Sequence, residues 1–507
     1  MNAHHINAIL IVGGGAAGWL TAGILAARYG QTLAITLIES SDVPIIGVGE
    51  GSWPSLRNTL RDMGISEIDF FNECDASFKQ GVKFINWRSS NEPHVYYHPF
   101  SLPIGFLERN IASAWLASGQ QGAFANAVCA QEYLCEKNLA PRTADTAEYK
   151  SHLNYGYHLD AGKFVTFLSR HCKEVLGVKH VIGTIDKVNQ DDNGITSIEI
   201  QKHDDDKQQL HADLFIDCSG LKSLLLGETL GATFIDKSDQ LFIDSAIAVQ
   251  APYDSETAPI LPYTIAHAQD AGWIWDIGLY SRKGIGHAYS SRHMSEDQAT
   301  AILGDYVGEG FEKLTTRKLN IPCGYREKFW IKNCVAIGMA AGFIEPLEAS
   351  ALVMVELAAN YIRDQLPQHT SVMPIVAKRF NELQTYRWNN IVDFLKLHYV
   401  LSQRNTNFWK DNRDPATLPD SLKESLQLWR HHVPYKKDFL HKEEVFPAAS
   451  YQYILYGMGL RPELQFPLSD KEKVIFNRMQ QENEKMKAGL ERILPDTRQL
   501  LKAQSGS

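Results

Sequence analysis

The stretch between residues 8 and 39 constrains this chain more tightly than any other. Residues 8–12 (Ala-Ile-Leu-Ile-Val) are a short apolar run of the kind buried on both faces of a parallel sheet. Gly13, Gly14, Gly15, Ala16, Ala17 and Gly18 follow at once. Residues 19–29 then read as a helix closed by Gly30, and residues 33–38 as a second strand with Glu39 at its end. Strand, GxGxxG turn, helix, strand and acid within about 30 residues is the dinucleotide-binding fingerprint. Gly13 makes the tight turn, Gly15 lets the backbone approach a pyrophosphate, and Gly18 lets helix and strand pack closely. The helix that follows offers free N–H groups and a positive dipole end to phosphate, and Ala16 and Ala17, inside the turn, are taken as cofactor contacts. Glu39 is placed to accept hydrogen bonds from ribose hydroxyls and disfavours a 2′-phosphate. The plainer alternative is a glycine-rich turn in an ordinary α/β core.

The apolar run 6–27 also invites a signal-peptide or membrane-helix reading. Gly13, Gly14, Gly15 and Gly18 interrupt it and no basic segment precedes it, so a soluble, cytoplasmic protein is the expectation. Lys and Arg number 50 against 59 Asp and Glu, a net charge of −9, which argues against nucleic acid or an anionic membrane as partner. Seven cysteines without a CxxC pair suit reduced thiols rather than a disulfide framework. No His/Cys cluster has metal-ligand spacing, and no metal is expected.

The fingerprint alone does not separate FAD from NAD. Residues 212–220 and 334–342 each read as a strand running into a small-residue turn, the second carrying Gly338 and Ala341 and opening a helix. Such strands far downstream of the first glycines resemble the arrangement of FAD monooxygenases and favour FAD.

Four further stretches carry a resemblance. Residues 273–277 (Trp-Ile-Trp-Asp-Ile) resemble a WxWxIP motif, residues 78–87 (Phe-Lys-Gln-Gly-Val-Lys-Phe-Ile-Asn-Trp) a lysine-bearing segment, and residues 343–351 (Phe-Ile-Glu-Pro-Leu-Glu-Ala-Ser-Ala) an FxEPLEST(G/S) stretch. Residues 394–409, with His398, Tyr399 and Arg404, resemble a fourth. In this order the motifs resemble the flavin-dependent tryptophan halogenase family, through most of the chain to about Gly459. Three positions depart from the pattern: Gly278 stands where the motif has Pro, Ala349 where many members have Ser, and Ala351 where many have Gly.

The resemblance implies halogenation of an electron-rich arene by hypohalous acid, made from reduced FAD (FADH2), O2 and chloride or bromide. It assigns Lys79 to relay the oxidised halogen, as an ammonium that polarises hypohalous acid or as a neutral amine that forms a haloamine. It assigns Glu348 to hold that lysine and take charge or a proton as the ring rearomatises. Lys83 lies on the same face as Lys79 if the segment is one strand, so alternation does not choose between them. Glu345 lies three residues before Glu348, with Pro346 between, which suggests a loop entering a helix. Ser350 and Ala351 take the halide-binding positions. Trp273 and Trp275 would wall the space between flavin and substrate; their plainer reading is two core tryptophans. Residues 47–52 resemble a mobile flavin-side loop, with Val48, Gly49 and Glu50 as flavin contacts. On the substrate side His98 and Phe100 resemble an indole-stacking segment, although His98 could equally be structural, and Tyr453 lies in the region facing the amino-acid moiety. Tryptophan, free indole or a larger indole remain equal candidates.

The fold expectation is α/β: an FAD-binding, Rossmann-like (flavin monooxygenase-type) module fused to a substrate region with a mainly helical C-terminal part. Residues 1–360 would form that discontinuous module, with inserted substrate-side segments, and residues 361–507 the helical region completing the substrate pocket. Residues 189–209 read as solvated hairpins, 359–401 as helix, and 469–494 as a charged amphipathic helix. A separate NAD(P)H-dependent flavin reductase is the expected partner, and the protein a monomer or homodimer. The competing readings are an FAD-dependent aromatic hydroxylase and a non-catalytic flavin-binding protein.

Overall fold

The five apolar residues Ala8–Val12 do form a strand, and all but the first are buried. The computed structural model describes residues 4–41, 49–119, 122–202, 207–441, 443–465 and 468–505. Ala8–Val12 pairs in parallel with Ala34–Glu39 on one side and Leu214–Asp217 on the other. Lys179–Ile182 and Cys334–Ala336 extend the sheet in parallel, and Trp330–Ile331 closes one edge antiparallel. The connecting helix, Ala16–Tyr29, buries residues from Gly18 to Ala26 without interruption. It is covered by the helices Ala161–Glu174 and Ser350–Gln365. A helix apolar nearly all round belongs in such a covered layer.

The chain divides into two compact units, each built from three segments. The first holds residues Met1–Asp75, Leu159–Lys237 and Pro322–Trp388, and contains this sheet. The second holds Ala76–His158, Ser238–Ile321 and Asn389–Ser507. This partition is cut differently from the division at residue 360, which falls inside the helix Ser350–Gln365.

The second unit is built on a seven-stranded sheet in the spatial order Thr316–Asn320, Ser245–Pro252, Arg282–Tyr289, Gly272–Gly278, Thr264–Gln269, Gly81–Ile85, Val95–Pro99. All its pairings are antiparallel except that of Thr264–Gln269 with Gly81–Ile85. The helix Ala448–Gly457 lies on the edge strand Val95–Pro99. A Cβ on Gly457 would sit 2.6 Å from the Tyr96 ring, so helix and strand meet there at backbone distance.

The polar stretch 189–209 forms antiparallel strands, Thr184–Asp191, Gly194–Gln201 and Lys207–Leu210. The expected helices appear as Ser350–Gln365, Met373–Val400 and Asp470–Ile493, the last opened by a Ser469/Glu472 capping box. One expectation fails. No helix opens directly after the strand Cys334–Ala336; a 3-10 turn, Gly338–Ala340, and a two-residue strand, Gly342–Phe343, come first. Gly338 turns left-handed (φ +69) and Gly342–Phe343 pairs with Gly324 and Tyr325, so the helix is delayed to Ser350. All seven cysteines are buried free thiols. Among the described residues no helix is long and apolar enough to cross a membrane, and no group of three or more His, Cys, Asp or Glu could hold a metal.

Candidate active site

In the first unit the glycine turn has the shape its sequence demands. Gly13 adopts φ +117, and a Cβ there would lie 2.2 Å from the Cys218 carbonyl oxygen. Only glycine tolerates both the angle and the approach. A Cβ on Gly18 would lie 1.8 Å from the Gly13 carbonyl oxygen. Gly15 differs: a Cβ there would meet nothing within 4 Å. Its openness is therefore not required by the protein's own packing. The helix starting at Ala16 has no side-chain cap and no acid in its first turn, so its leading N–H groups are not taken by a cap. Open space at Gly15 beside uncapped N–H groups fits the pyrophosphate of a dinucleotide.

Glu39 ends the second strand and lies against this turn, its carboxylate within 1.6 Å of where a Gly14 Cβ would be. One carboxylate oxygen is 2.7 Å from His180 Nε2, which orients the acid. Gly338 and Ala17 are brought together: a Cβ on Gly338 would sit 2.6 Å from the Ala17 Cβ. Ala341 is buried next to that turn, its carbonyl accepting from Arg326 N–H at 2.7 Å. Within the expected loop 47–52, Gly49 turns left-handed (φ +131), whereas the half-buried Glu50 and Gly51 form a two-residue strand; Gly47 and Val48 lie outside the described residues.

The segment 345–351 is a loop entering a helix, as the spacing predicts. Glu345 (1% exposed) and Glu348 (4%) are both buried. Glu348 (φ 66, ψ 4) and Ala349 (φ 52, ψ 49) are consecutive left-handed residues, neither of them glycine. The helix begins at Ser350, again with no side-chain cap and no acid in its first turn. Ser350 is buried and Ala351 exposed, so the leading N–H groups lie at a boundary where an anion could settle. Trp53, one residue beyond the loop picked out in the sequence, donates its indole N–H to the Glu348 carbonyl at 2.8 Å. No sequence pattern links two residues so far apart.

In the second unit the structure separates the two lysines that alternation could not. Lys79 ends the strand Ser77–Lys79, whereas Lys83 lies in the next strand, Gly81–Ile85. Gln80 breaks them apart: its N–H donates to Pro262 and its carbonyl accepts from Phe100 N–H. Lys83 Nζ is 2.6 Å from Glu136 and packs near the Tyr97 and Tyr263 rings, so its charge is already matched. Lys79 is only 1% exposed, with Nζ 5.4 Å from the centroid of Phe100. Burying an ammonium is costly unless its surroundings compensate.

Opposite the Lys79 strand runs Gly156–Leu159, in the register Ser77 with His158 and Lys79 with Gly156. The residue paired with Lys79 therefore contributes no side chain of its own. His158 is fully buried, and burial, reinforced by the nearby Lys79 charge, holds its pKa well below the usual histidine value. It is a neutral imidazole bonded to Thr264 Oγ1 at 2.8 Å. The Ser77 hydroxyl donates to the carbonyl of Gly278, the position where the family motif has Pro.

Trp273 and Trp275 sit on one face of Gly272–Gly278, both buried, with ring centroids 6.1 Å apart. Trp275 lies across from Gly286, and a Cβ there would strike its ring at 2.1 Å. Phe100 is half-buried. His98 is buried, bonded to Ser450 Oγ at 2.9 Å, and 6.1 Å from Tyr453. Tyr453 donates to the Ser101 carbonyl at 3.0 Å. Burial pushes its phenol well above the usual range.

A family model described as tryptophan halogenase matches residues 8–473. The crystal structure of a tryptophan halogenase from Shewanella frigidimarina is 45% identical, with a TM-score of 0.96 over 99% of this chain and 98% of that one. The tryptophan 6-halogenase SttH of Streptomyces toxytricini is 32% identical over 496 residues, 93% of each chain. The tryptophan 7-halogenase RebH of Lentzea aerocolonigenes is 32% identical over 492 residues, 91% of each.

Proposed function

The chain belongs to the tryptophan halogenase family of flavin-dependent oxidoreductases, and from that premise we propose that it halogenates an electron-rich indole. The substrate class is tryptophan or an indole derivative, the halide chloride or bromide, and the flavin FAD, reduced by a separate NAD(P)H-dependent reductase. When bound, reduced FAD supplies the means of converting O2 and halide into hypohalous acid.

The protein's own groups do the rest. Gly13, Gly15 and Gly18 with the helix start at Ala16 and Ala17 hold the pyrophosphate, and Glu39 the ribose. Gly49, Glu50, Gly338 and Ala341 complete the flavin contacts. The N–H groups of Ser350 and Ala351 hold the halide. Lys79 receives hypohalous acid, polarising it through an ammonium hydrogen bond or carrying the halogen on a neutral amine. The arene attacks the halogen with a ring electron pair: from hypohalous acid the hydroxide departs and takes a proton from the Lys79 ammonium to become water, whereas from the haloamine, whose formation has already released water, the Lys79 amine is the leaving group. Glu348 takes the ring proton as aromaticity returns. Phe100 offers a flat stacking surface for the indole, and Trp273 and Trp275 restrict access to the flavin.

The observation that carries this reading is the burial of Lys79 beside Phe100. A lysine in bulk water would release its oxidant to solvent, whereas a buried one confines it. The test is mass spectrometry after incubation with FAD, a flavin reductase, NADH, bromide or chloride, and an indole panel. The expected result is a product with the halogen isotope pattern, lost in Lys79→Ala while FAD binding persists. Absence of any halogenated arene from the wild type, or an undiminished yield from the variant, overturns the reading.

A further inference from the structure

The helix Ser350–Gln365 starts from an unusual turn, and a side chain distant in sequence bonds to it. In the left-handed region the Cβ of an ordinary residue crowds the following carbonyl oxygen. Two such residues in succession, Glu348 and Ala349, persist only where the surroundings over-determine them. The Ala349 N–H donates to the Pro346 carbonyl at 2.9 Å, a bond local to the turn. A long-range restraint comes from Trp53, whose indole N–H reaches the Glu348 carbonyl. We propose that Trp53 is a positioning residue for halogenation: by fixing the Glu348 carbonyl it aims the Glu348 carboxylate and the N–H groups of Ser350 and Ala351 together. This inference rests on the function proposed above.

The segment carrying Trp53 is itself anchored to the same helix. Ser55 and Thr59, on the helix Ser55–Asp62, donate to the two carboxylate oxygens of Glu356 at 2.9 and 2.5 Å. Glu356 is 1% exposed and lies on Ser350–Gln365. The segment is thus gripped at Glu356 and reaches back to Glu348. Trp53 works from a fixed base, and losing its N–H releases the turn without freeing the segment. The indole reaches where a shorter donor would not, and its N–H is donor only.

Removing the N–H while keeping a ring isolates the effect. In Trp53→Phe the Michaelis constant for bromide is expected to rise about tenfold, equivalent to about 1.4 kcal/mol. The kcat at saturating bromide should fall by less, and the FAD dissociation constant should stay unchanged. The second variant is Trp53→Phe/Ala349→Gly. Glycine adopts the left-handed conformation without the Cβ conflict, so the double variant should recover the bromide constant to within about threefold of wild type. A merely packed indole would not be rescued by a glycine elsewhere. Three results overturn the inference: an unchanged bromide constant in Trp53→Phe, a defect that Ala349→Gly fails to relieve, or equal loss of FAD affinity. If the wild type halogenates and Trp53→Phe behaves as wild type, only this inference fails. A wild type without halogenated product removes it together with the proposed function.

Discussion

Lys79 and Lys83 show how four residues of chain separate two fates for one side chain. Lys83 has a carboxylate at 2.6 Å and two aromatic faces within 6 Å. It is a structural cation whose charge is answered. Lys79, at the end of the preceding strand, is buried against Phe100 and next to an imidazole kept neutral. Lys83→Met is therefore expected to lower stability by about 1 kcal/mol, typical of a partly exposed ion pair, and to leave halogenation rates within a few-fold of wild type. A loss of product comparable to that in Lys79→Ala would refute the assignment. The lysine pair was half legible in the sequence. The residue types and family register were there, but alternation assumed one continuous strand. What separates them is the backbone at Gln80 and Gly81 (φ +155), where a Cβ would lie 2.5 Å from the His98 carbonyl oxygen. That partner is known only once the sheet has formed.

At the scale of elements, the first strand, glycine turn and helix were legible because each requirement there is local, although the helix begins at Ala16, three residues before the expected start at Trp19. The glycines nevertheless do two different jobs. Gly18 is required by the fold, since its Cβ would collide with the Gly13 carbonyl, whereas a Cβ on Gly15 would meet nothing within 4 Å, and the proposed function gives that space to the pyrophosphate. Gly15→Ala should leave the apo melting temperature within a degree or two of wild type and weaken FAD binding at least tenfold. Gly18→Ala should lower the apo melting temperature by several degrees, as expected for overpacking that costs about 1–3 kcal/mol. Calorimetry and flavin fluorescence titration on both variants decide it; equal melting losses would contradict the distinction. Less was legible around residues 338–350. A small-residue run after a strand suggested an immediate helix. The intervening strand exists only because Gly342–Phe343 pairs with Gly324 and Tyr325. The double left-handed turn before Ser350 accepts a hydrogen bond from an indole almost three hundred positions earlier. Neither cause leaves a periodic trace.

Across the whole molecule, the interleaving of two units, each from three segments, was the least legible feature, because it follows from long-range sheet pairing rather than composition. The second unit also carries four histidines held below their usual pKa, above all by burial: His94, His158, His267 and His287. Below about pH 6.5 the unfolded chain takes up protons at these rings that the folded chain refuses, so stability is lost as pH falls. Glu132 and Glu356 act oppositely. Burial raises each to about 7, and their contribution declines as pH rises from about 4.5 to 7. With the two acids neutralised as Glu132→Gln and Glu356→Gln, the histidines are left to set the slope, and the melting temperature of that double variant should drop between pH 7.5 and 5.5. A flat or rising calorimetric profile over that interval would contradict that expectation.

The placement of sulfur carries one more consequence. Every thiol lies inside the fold, while Met339 and Met486 are 38% and 45% exposed. A catalyst of this kind is its own most dangerous neighbour. Halogenating equivalents that escape during idle turnover would meet thioethers at the surface before any thiol. Peptide mapping of enzyme cycled without arene should find sulfoxide at those two methionines while the cysteines still alkylate fully once the chain is unfolded. The protein would age from the outside inward.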